Sequence, residues 1–391
     1  MVNASISGST AQRVAAFGES VFTPISARAR ELGAINMGQG FPDFDGPSSI
    51  REAAVEAIRA GRNQYAMPHG VPELREAIAA SFALRSGIAA DPDREVTVTS
   101  GCTEAMASVM LGVIEPGDEV VVIEPWYDQY PAVIAMAGGV LRSLPLRGDN
   151  FQLDPDEVRR TITDRTRAVL VNTPHNPTGR VLSRDELGMI AEACVRHDVL
   201  AITDEVYEHL VFDHTHHFLA ACDGMRERTI TLSSLGKSFD LTGWKIGWAV
   251  APPAYTAAIR AAHQFLVYAS PTPLQVAAAH ALREGETYFE AYRRAYRRRR
   301  DLLCEGLLRA GFKLHPPEGT YFVMADHRAF GRGDDVAFCT FMLEEAGVAA
   351  IPPSAFSRTN GLMSRWVRFA FCKREETIRA AVARLEERLR A

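Results

Sequence analysis

Between residues 48 and 280, short apolar runs rich in β-branched residues alternate with longer segments whose apolar residues recur three and four positions apart. The first pattern predicts strands and the second helices, and their alternation predicts helical crossovers between parallel strands. Strands are expected at 95–99, 119–123, 168–171, 200–203 and 229–232, each bounded by Gly, Pro, Asn, Asp or Ser. They are short and apolar almost throughout, as strands covered on both faces are. The segment 184–197, RDELGMIAEACVRH, follows Ser183, a capping residue, and reads as a crossover helix. The predicted class is α/β, with a mostly parallel, doubly wound sheet in a large domain.

A different regime begins near Glu284, where the Arg-rich helical stretch YRRAYRRRRDLLCEGLLRAGF leads into a short α+β pattern ending in EETIRAAVARLEERLRA. The expected division is therefore 47–284 as the large domain and 285–391 as a small C-terminal domain. Residues 1–46 are too few to build their own core, so they are expected to form an N-terminal arm and part of the small domain.

Composition narrows the partners. Of 391 residues 47% are apolar and 23% charged, the balance of a globular chain rather than a disordered or fibrous one. Lys plus Arg (43) against Asp plus Glu (48) leaves a net charge of -5, which gives no pull toward nucleic acid or an anionic membrane. Small molecules or other protein chains are the expected partners. The six cysteines form no C-x-x-C pair, so no disulfide framework or zinc ribbon is expected and a cytoplasmic location fits. No run approaches the roughly eighteen apolar residues of a membrane helix. The opening MVNASISGST lacks the basic and apolar regions of a secretory signal and reads as a loose arm.

Open α/β sheets place ligands at the carboxyl ends of their strands, so the residues just after each predicted strand carry the chemistry. After the first come Ser100-Gly101-Cys102-Thr103, which open a helix whose free amides suit a phosphate. After the second come Trp126 and Tyr127, rings able to stack on a flat ligand, and after the third NTPHNPTG, a proline-bounded turn that aims the Asn176 amide. The fourth strand delivers Asp204 and Tyr207; the fifth delivers Ser234 and Lys237, with Lys245 close behind. Each has an ordinary structural reading, as a cap, turn, core ring or solvated lysine. Together they supply an amine, a carboxylate, a phenol, an amide, a ring and phosphate donors at one sheet edge. Pyridoxal phosphate uses that whole set: a Lys for its Schiff base, an Asp to keep its pyridine nitrogen protonated, donors for its phenolic oxygen and a helix start for its phosphate. Neither a P-loop nor a G-x-G-x-x-G turn follows the first strand.

The motifs INMGQGFPDFDGP, NQYAMPHGVPELRE, PGDEVVVIEPWYDQY, NTPHNPTG, DEVYEHLVFD and SSLGKSFDLTGWKIGWA carry a resemblance that runs from about residue 21 to 373. In these the chain resembles the fold type I, class I and II pyridoxal phosphate aminotransferases. The resemblance is to the branch of kynurenine, glutamine, methionine and N-succinyldiaminopimelate aminotransferases. It implies that Lys237 carries the cofactor and acts as general base, that Asp204 pairs with the ring nitrogen, and that Tyr207 and Asn176 bond the phenolic oxygen. It implies a phosphate held by Gly101, Cys102, Thr103, Ser234 and Lys245, where many relatives carry Arg in place of Lys245, and a ring stacked under Tyr127. Arg368, in Trp366-Val367-Arg368-Phe369, would clamp the substrate α-carboxylate beside the Gly38 backbone, with Asn176 also in reach. Phe22 would touch the substrate, and Tyr65 would reach the phosphate of the neighbouring subunit in a homodimer with shared active sites. The implied reaction passes the amino group of an α-amino acid to a 2-oxo acid by a ping-pong route, placing the enzyme in amino acid metabolism.

The same Lys, Asp and Tyr also serve β- or γ-elimination and replacement on sulfur-containing amino acids, which stands as the alternative. A chain keeping the fold without the chemistry is disfavoured by the presence of both Lys237 and Asp204. Substrate choice is expected to depend on Phe22, Trp126, Tyr127, His69 and the segment 268–270, although for His69 the surface-loop reading is preferred. His214, His216 and His217 are expected to be solvated and no metal is predicted; the Arg293 to Arg300 run is expected to be a solvated or salt-bridged helix face.

Overall fold

The computed structural model describes residues 10–389, so the opening nine residues, most of the expected N-terminal arm's tip, lie outside the described residues, as do 390–391. Twelve strands occur in chain order: β1 (Ile35–Asn36), β2 (Val96–Thr99), β3 (Glu119–Glu124), β4 (Val140–Pro145), β5 (Thr166–Asn172), β6 (Leu200–Asp204), β7 (Thr229–Ser234), β8 (Gly247–Val250), β9 (Lys313–Leu314), β10 (Phe322–Asp326), β11 (Val348–Ala349) and β12 (Trp366–Ala370). Seven form one sheet in the order β2-β8-β7-β6-β5-β3-β4. The contacts from β4 through β7 are all parallel, while β8 runs antiparallel to both β2 and β7. The class is α/β with a mixed, mostly parallel sheet.

Successive residues of one strand feed two different cores. In β3, Val120 and Val122 pack with Met106, Tyr130 and Ile202, whereas Val121 and Ile123 pack with Leu187, Ile190 and Leu219. β5 divides likewise, with Ala168 and Leu170 on one face and Val169 and Val171 on the other. Side chains alternate faces along a strand, so a strand buried on both sides needs apolar residues at every position. That is why these strands are legible as unbroken apolar runs. β4 and β8 were not expected. β4 is an edge strand whose first residues are partly exposed, and β8, though buried throughout, is only four residues long and begins at glycine, a weak strand signal.

The helix Arg184–Arg196 starts with a full capping box between Ser183 and Glu186, as its sequence suggested. The helix Glu286–Ala310 is 25 residues long and ends at Gly311, whose φ of 109° suits glycine. Its arginines split between pairing and packing: Arg297 and Arg300 meet Asp213 at 3.0 and 2.8 Å, while Arg299 lies 4.3 Å over the Phe44 ring. The early segment returns to the late one, because β1 pairs in parallel with β11 and Ala370 N–H donates to the Met37 carbonyl at 2.6 Å. β9, β10 and β12 form a second, antiparallel sheet, with Arg368 in the middle of β12.

Candidate active site

The carboxyl ends of β2, β5, β6 and β7 open on one cavity of about 320 Å³. Its floor is the end of β6, where the sheet delivers Asp204. Asp204 is buried, its Oδ2 accepts a hydrogen bond from the Tyr130 hydroxyl at 2.7 Å and its Oδ1 accepts the Val206 N–H at 3.3 Å. Burial raises its pKa above the ordinary carboxylate value, against the pull of these donors.

Lys237 sits in the short helix Leu235–Ser238 that follows β7. Its Nζ donates to the Gly40 carbonyl at 3.4 Å and lies 5.6 Å from the centre of the Tyr321 ring and 6.0 Å from that of Tyr207. Burial lowers its pKa from 10.5 to about 8, so the amine gives up its proton far more readily than a free lysine does. The backbone here is gripped from the long helix. The Tyr292 hydroxyl donates to the Lys237 carbonyl, Tyr288 to the Ser238 carbonyl at 3.4 Å and Tyr296 to Asp240 Oδ1 at 2.5 Å. Residues 288, 292 and 296 recur every four positions and so share one helix face, a signal visible in the sequence but unused.

The end of the helix Gly101–Val113 forms another wall. Its N-cap Ser100 makes no side-chain cap, so the first-turn amides stay free to receive a ligand. Gly101 has φ of 73°, and a Cβ there would stand 3.1 Å from Lys245 Cε. Lys245 itself adopts a left-handed φ of 54°, which turns its Nζ onto Thr103 Oγ1 at 3.1 Å. Thus a cation and a row of amides meet over one turn. Cys102 and Thr103 border the cavity beside them, with Ser234 at the end of β7.

Opposite stands Arg368, nearly inaccessible at 1% exposure. One of its terminal nitrogens donates to Asn176 Oδ1 at 2.9 Å and the other to the Gly38 carbonyl at 3.1 Å, while Nε has no partner. Its guanidinium lies 4.1, 5.1 and 5.2 Å from the ring centres of Phe322, Phe356 and Phe22. Burial lowers its pKa to about 10, yet it stays charged at neutral pH. Asn176 is fixed in turn: its N–H donates to Asn172 Oδ1 at 2.7 Å, and Asn172 Nδ2 donates to the Asp204 carbonyl at 2.8 Å. One amide side chain therefore ties the NPTG turn to the strand that carries Asp204.

Tyr127 and Tyr207 both border the cavity, Tyr127 edge-on to Tyr130 at 5.8 Å and Tyr207 edge-on to Tyr321 at 5.1 Å; burial raises both phenol pKa values. Gly38 meets the site through its backbone carbonyl on Arg368, and Tyr65, expected to serve a neighbouring subunit, is 85% exposed outside the cavity of its own chain, with its ring 5.3 Å from that of Tyr268.

Other expectations need correction. His216 is not solvated: its side chain is 4% exposed and its Nε2 lies 2.6 Å from Glu205 Oε2 beneath the sheet end. Trp126 is a buried core ring rather than a cavity wall, and its backbone N–H donates to the Phe356 carbonyl at 2.9 Å. His69 does not border the cavity; its ring is half-buried, and desolvation with the nearby Arg260 and Arg75 lowers its pKa to about 4. Tyr130, Asn172 and Phe322 were missed. They contribute through contacts made only after distant segments meet.

The model for aminotransferase class I and II matches residues 33–385. A probable N-succinyldiaminopimelate aminotransferase of Mycobacterium tuberculosis is 49% identical over 387 residues, 96% of this chain and 98% of the relative. The methionine aminotransferase of Escherichia coli is 40% identical over 371 residues, 95% of this chain and 96% of the relative. Among solved structures, the N-succinyldiaminopimelate aminotransferase from Mycobacterium tuberculosis superposes with a TM-score of 0.94, covering 97% of this chain and 99% of that one at 49% identity. The chain belongs to the class I and II aminotransferases and has their fold type I architecture. It is an aminotransferase, and elimination or replacement chemistry is not favoured.

Proposed function

We propose that the cavity binds pyridoxal 5′-phosphate, covalently through Lys237, and that the enzyme transfers the amino group of an α-amino acid to a 2-oxo acid by a ping-pong route. One observation carries this reading: a buried amine with pKa lowered to about 8 shares a cavity with a buried strand-end carboxylate, Asp204, and with a helix start whose amides are free. The residues fit the cofactor's parts. The positive φ of Gly101 disfavours a side chain and a Cβ there would crowd Lys245 Cε at 3.1 Å, which suits a phosphate cradled by Gly101, Cys102, Thr103, Ser234 and Lys245. Tyr127 supplies the stacked ring, and Tyr207 and Asn176 the donors for the phenolic oxygen.

When bound, pyridoxal phosphate supplies a conjugated electron sink for the α-carbon of the substrate. Arg368 binds the substrate carboxylate through its fork and so fixes which bond at the α-carbon faces Lys237. Lys237 Nζ, whose lowered pKa makes its neutral form far more accessible near neutrality than a free lysine's, removes the α-proton and holds it for return at a neighbouring carbon. Asp204 holds a proton at the ring nitrogen. Phe22 covers the carboxylate end and limits water there.

The homodimer reading is supported by exposed apolar side chains around the predicted neighbour contact: Tyr65 and Phe265 are 85% exposed, Met67 58% and Tyr268 47%. The division into 1–46 with 285–391 as the small domain and 47–284 as the large cofactor-binding domain is part of the same proposal, as is a cytoplasmic location. No helix among the described residues is long and apolar enough to cross a membrane.

The test is reduction of the cofactor-treated protein with borohydride followed by peptide mass mapping, then a single-turnover assay with N-succinyldiaminopimelate, methionine, kynurenine and glutamine as donors. A label on Lys237 and release of an intact keto acid support the proposal. A label elsewhere, or loss of the substrate's side-chain leaving group, overturns it.

A further inference from the structure

Asp204 is held by more than its own strand. The hydroxyl of Tyr130, in the helix Gln129–Met136 and 74 positions away in sequence, reaches its Oδ2 at 2.7 Å. Tyr130 is 2% exposed, packs in the core with Val122 and Ile202, and lies edge-on to Tyr127. Its hydroxyl therefore cannot swing away, and it borders the cavity itself. A carboxylate that accepts a short O–H bond is less basic than one that does not. Facing a pyridine nitrogen, that basicity decides where the shared proton rests.

From this contact we infer that Tyr130 is a positioning residue that keeps Asp204 anionic and aimed, so that the proton between them stays on the cofactor's ring nitrogen. This rests on the cofactor reading above. No covalent bond other than that to the shared proton changes: the proton moves along the hydrogen bond between the nitrogen and Asp204. Without the hydroxyl, Oδ2 is buried with no donor from that side, Asp204 becomes more basic, and the proton shifts onto it. The ring then withdraws electrons less well.

The test uses holoenzyme reconstituted with pyridoxal phosphate carrying nitrogen-15 in its ring, read by nitrogen NMR. In Tyr130→Phe the cofactor remains attached to Lys237 and the nitrogen signal moves from the protonated toward the neutral pyridine position. The same variant loses kcat by about ten- to a hundred-fold, with the donor KM little changed. Should Tyr130→Phe fail to fold, 3-fluorotyrosine at this position is nearly isosteric and a stronger donor, and must keep the nitrogen signal at the protonated position up to a higher pH than in the wild type. A folded holoenzyme variant with an unmoved nitrogen signal overturns this inference alone. A wild-type chain that takes up no cofactor overturns the functional reading and the inference with it.

Discussion

Replacing Arg368 with Met separates what this side chain costs from what it does. The guanidinium is the largest side chain in the fully buried set, and no carboxylate pairs with it among the described residues. Burying an unpaired cation costs several kcal/mol even after relaxation. Against that stand two hydrogen bonds to neutral acceptors, worth about 1.5–3 kcal/mol each, and its contacts with three phenylalanine rings, the nearest at 4.1 Å and worth up to about 2 kcal/mol. These nearly cancel, so the empty variant should melt within about 4 °C of wild type. Binding is another matter. A substrate carboxylate would recover two charge-assisted bonds and give the buried cation its missing partner, about 3–6 kcal/mol and hence two to four decades of affinity. The assay is the concentration dependence of the single-turnover half-reaction for an amino acid, beside the amine that lacks its carboxylate. Arg368→Met should weaken the amino acid by at least a hundred-fold and leave the amine unchanged, taking about 3 kcal/mol as the floor. A loss of less than about threefold, or an equal loss for the amine, refutes the argument.

Two further predictions concern charge and proton. Because burial lowers the Lys237 pKa to about 8, its unprotonated fraction grows as pH rises through that value; covalent uptake of pyridoxal phosphate by the apoprotein should accelerate with pH and level off above it. A rate still climbing at the ordinary value of 10.5 would contradict the burial argument. Glu124, at the end of β3, accepts from Ser357 Oγ at 2.6 Å, Thr359 N at 2.7 Å and Thr359 Oγ1 at 2.7 Å, and from Ser143, tying β3 to the loop that leads toward β12. Burial pushes its pKa up, but these donors outweigh it and hold the value below 4.5. Its contribution is therefore complete above pH 4.5 and is lost as pH falls through the lowered folded value. Glu124→Gln sets an amide against those donors and should cost about 2–4 kcal/mol in urea unfolding at pH 7, a gap that narrows in acid. A gap that stays constant down to the acid limb would show that the carboxylate charge is not what holds the loop.

The sequence by itself determined the layers of the sheet and where along it the candidate chemistry gathers. Strands buried on both faces must be apolar at every position, which made β3, β5 and β6 readable, and strand ends in an open sheet must carry the site, which made Asp204, Tyr207 and Lys237 stand out. Arg368 and Tyr65 came from the resemblance, since a single buried arginine in a β-strand has no local pattern. Tertiary structure alone decided which residues act through others. Tyr130 meets Asp204 across 74 positions, Tyr292 meets Lys237 across 55, and Arg368 meets Asn176 across 192. Such contacts leave no periodicity in the chain, because periodicity records which face a residue presents and not what finally packs against it. His216 illustrates the converse: a polar loop sequence reads as solvated, yet the fold buries its ring against Glu205 once the loop closes over the sheet. A local pattern specifies burial only where one element repeats it; a single polar residue is buried or exposed according to what the rest of the chain brings to it.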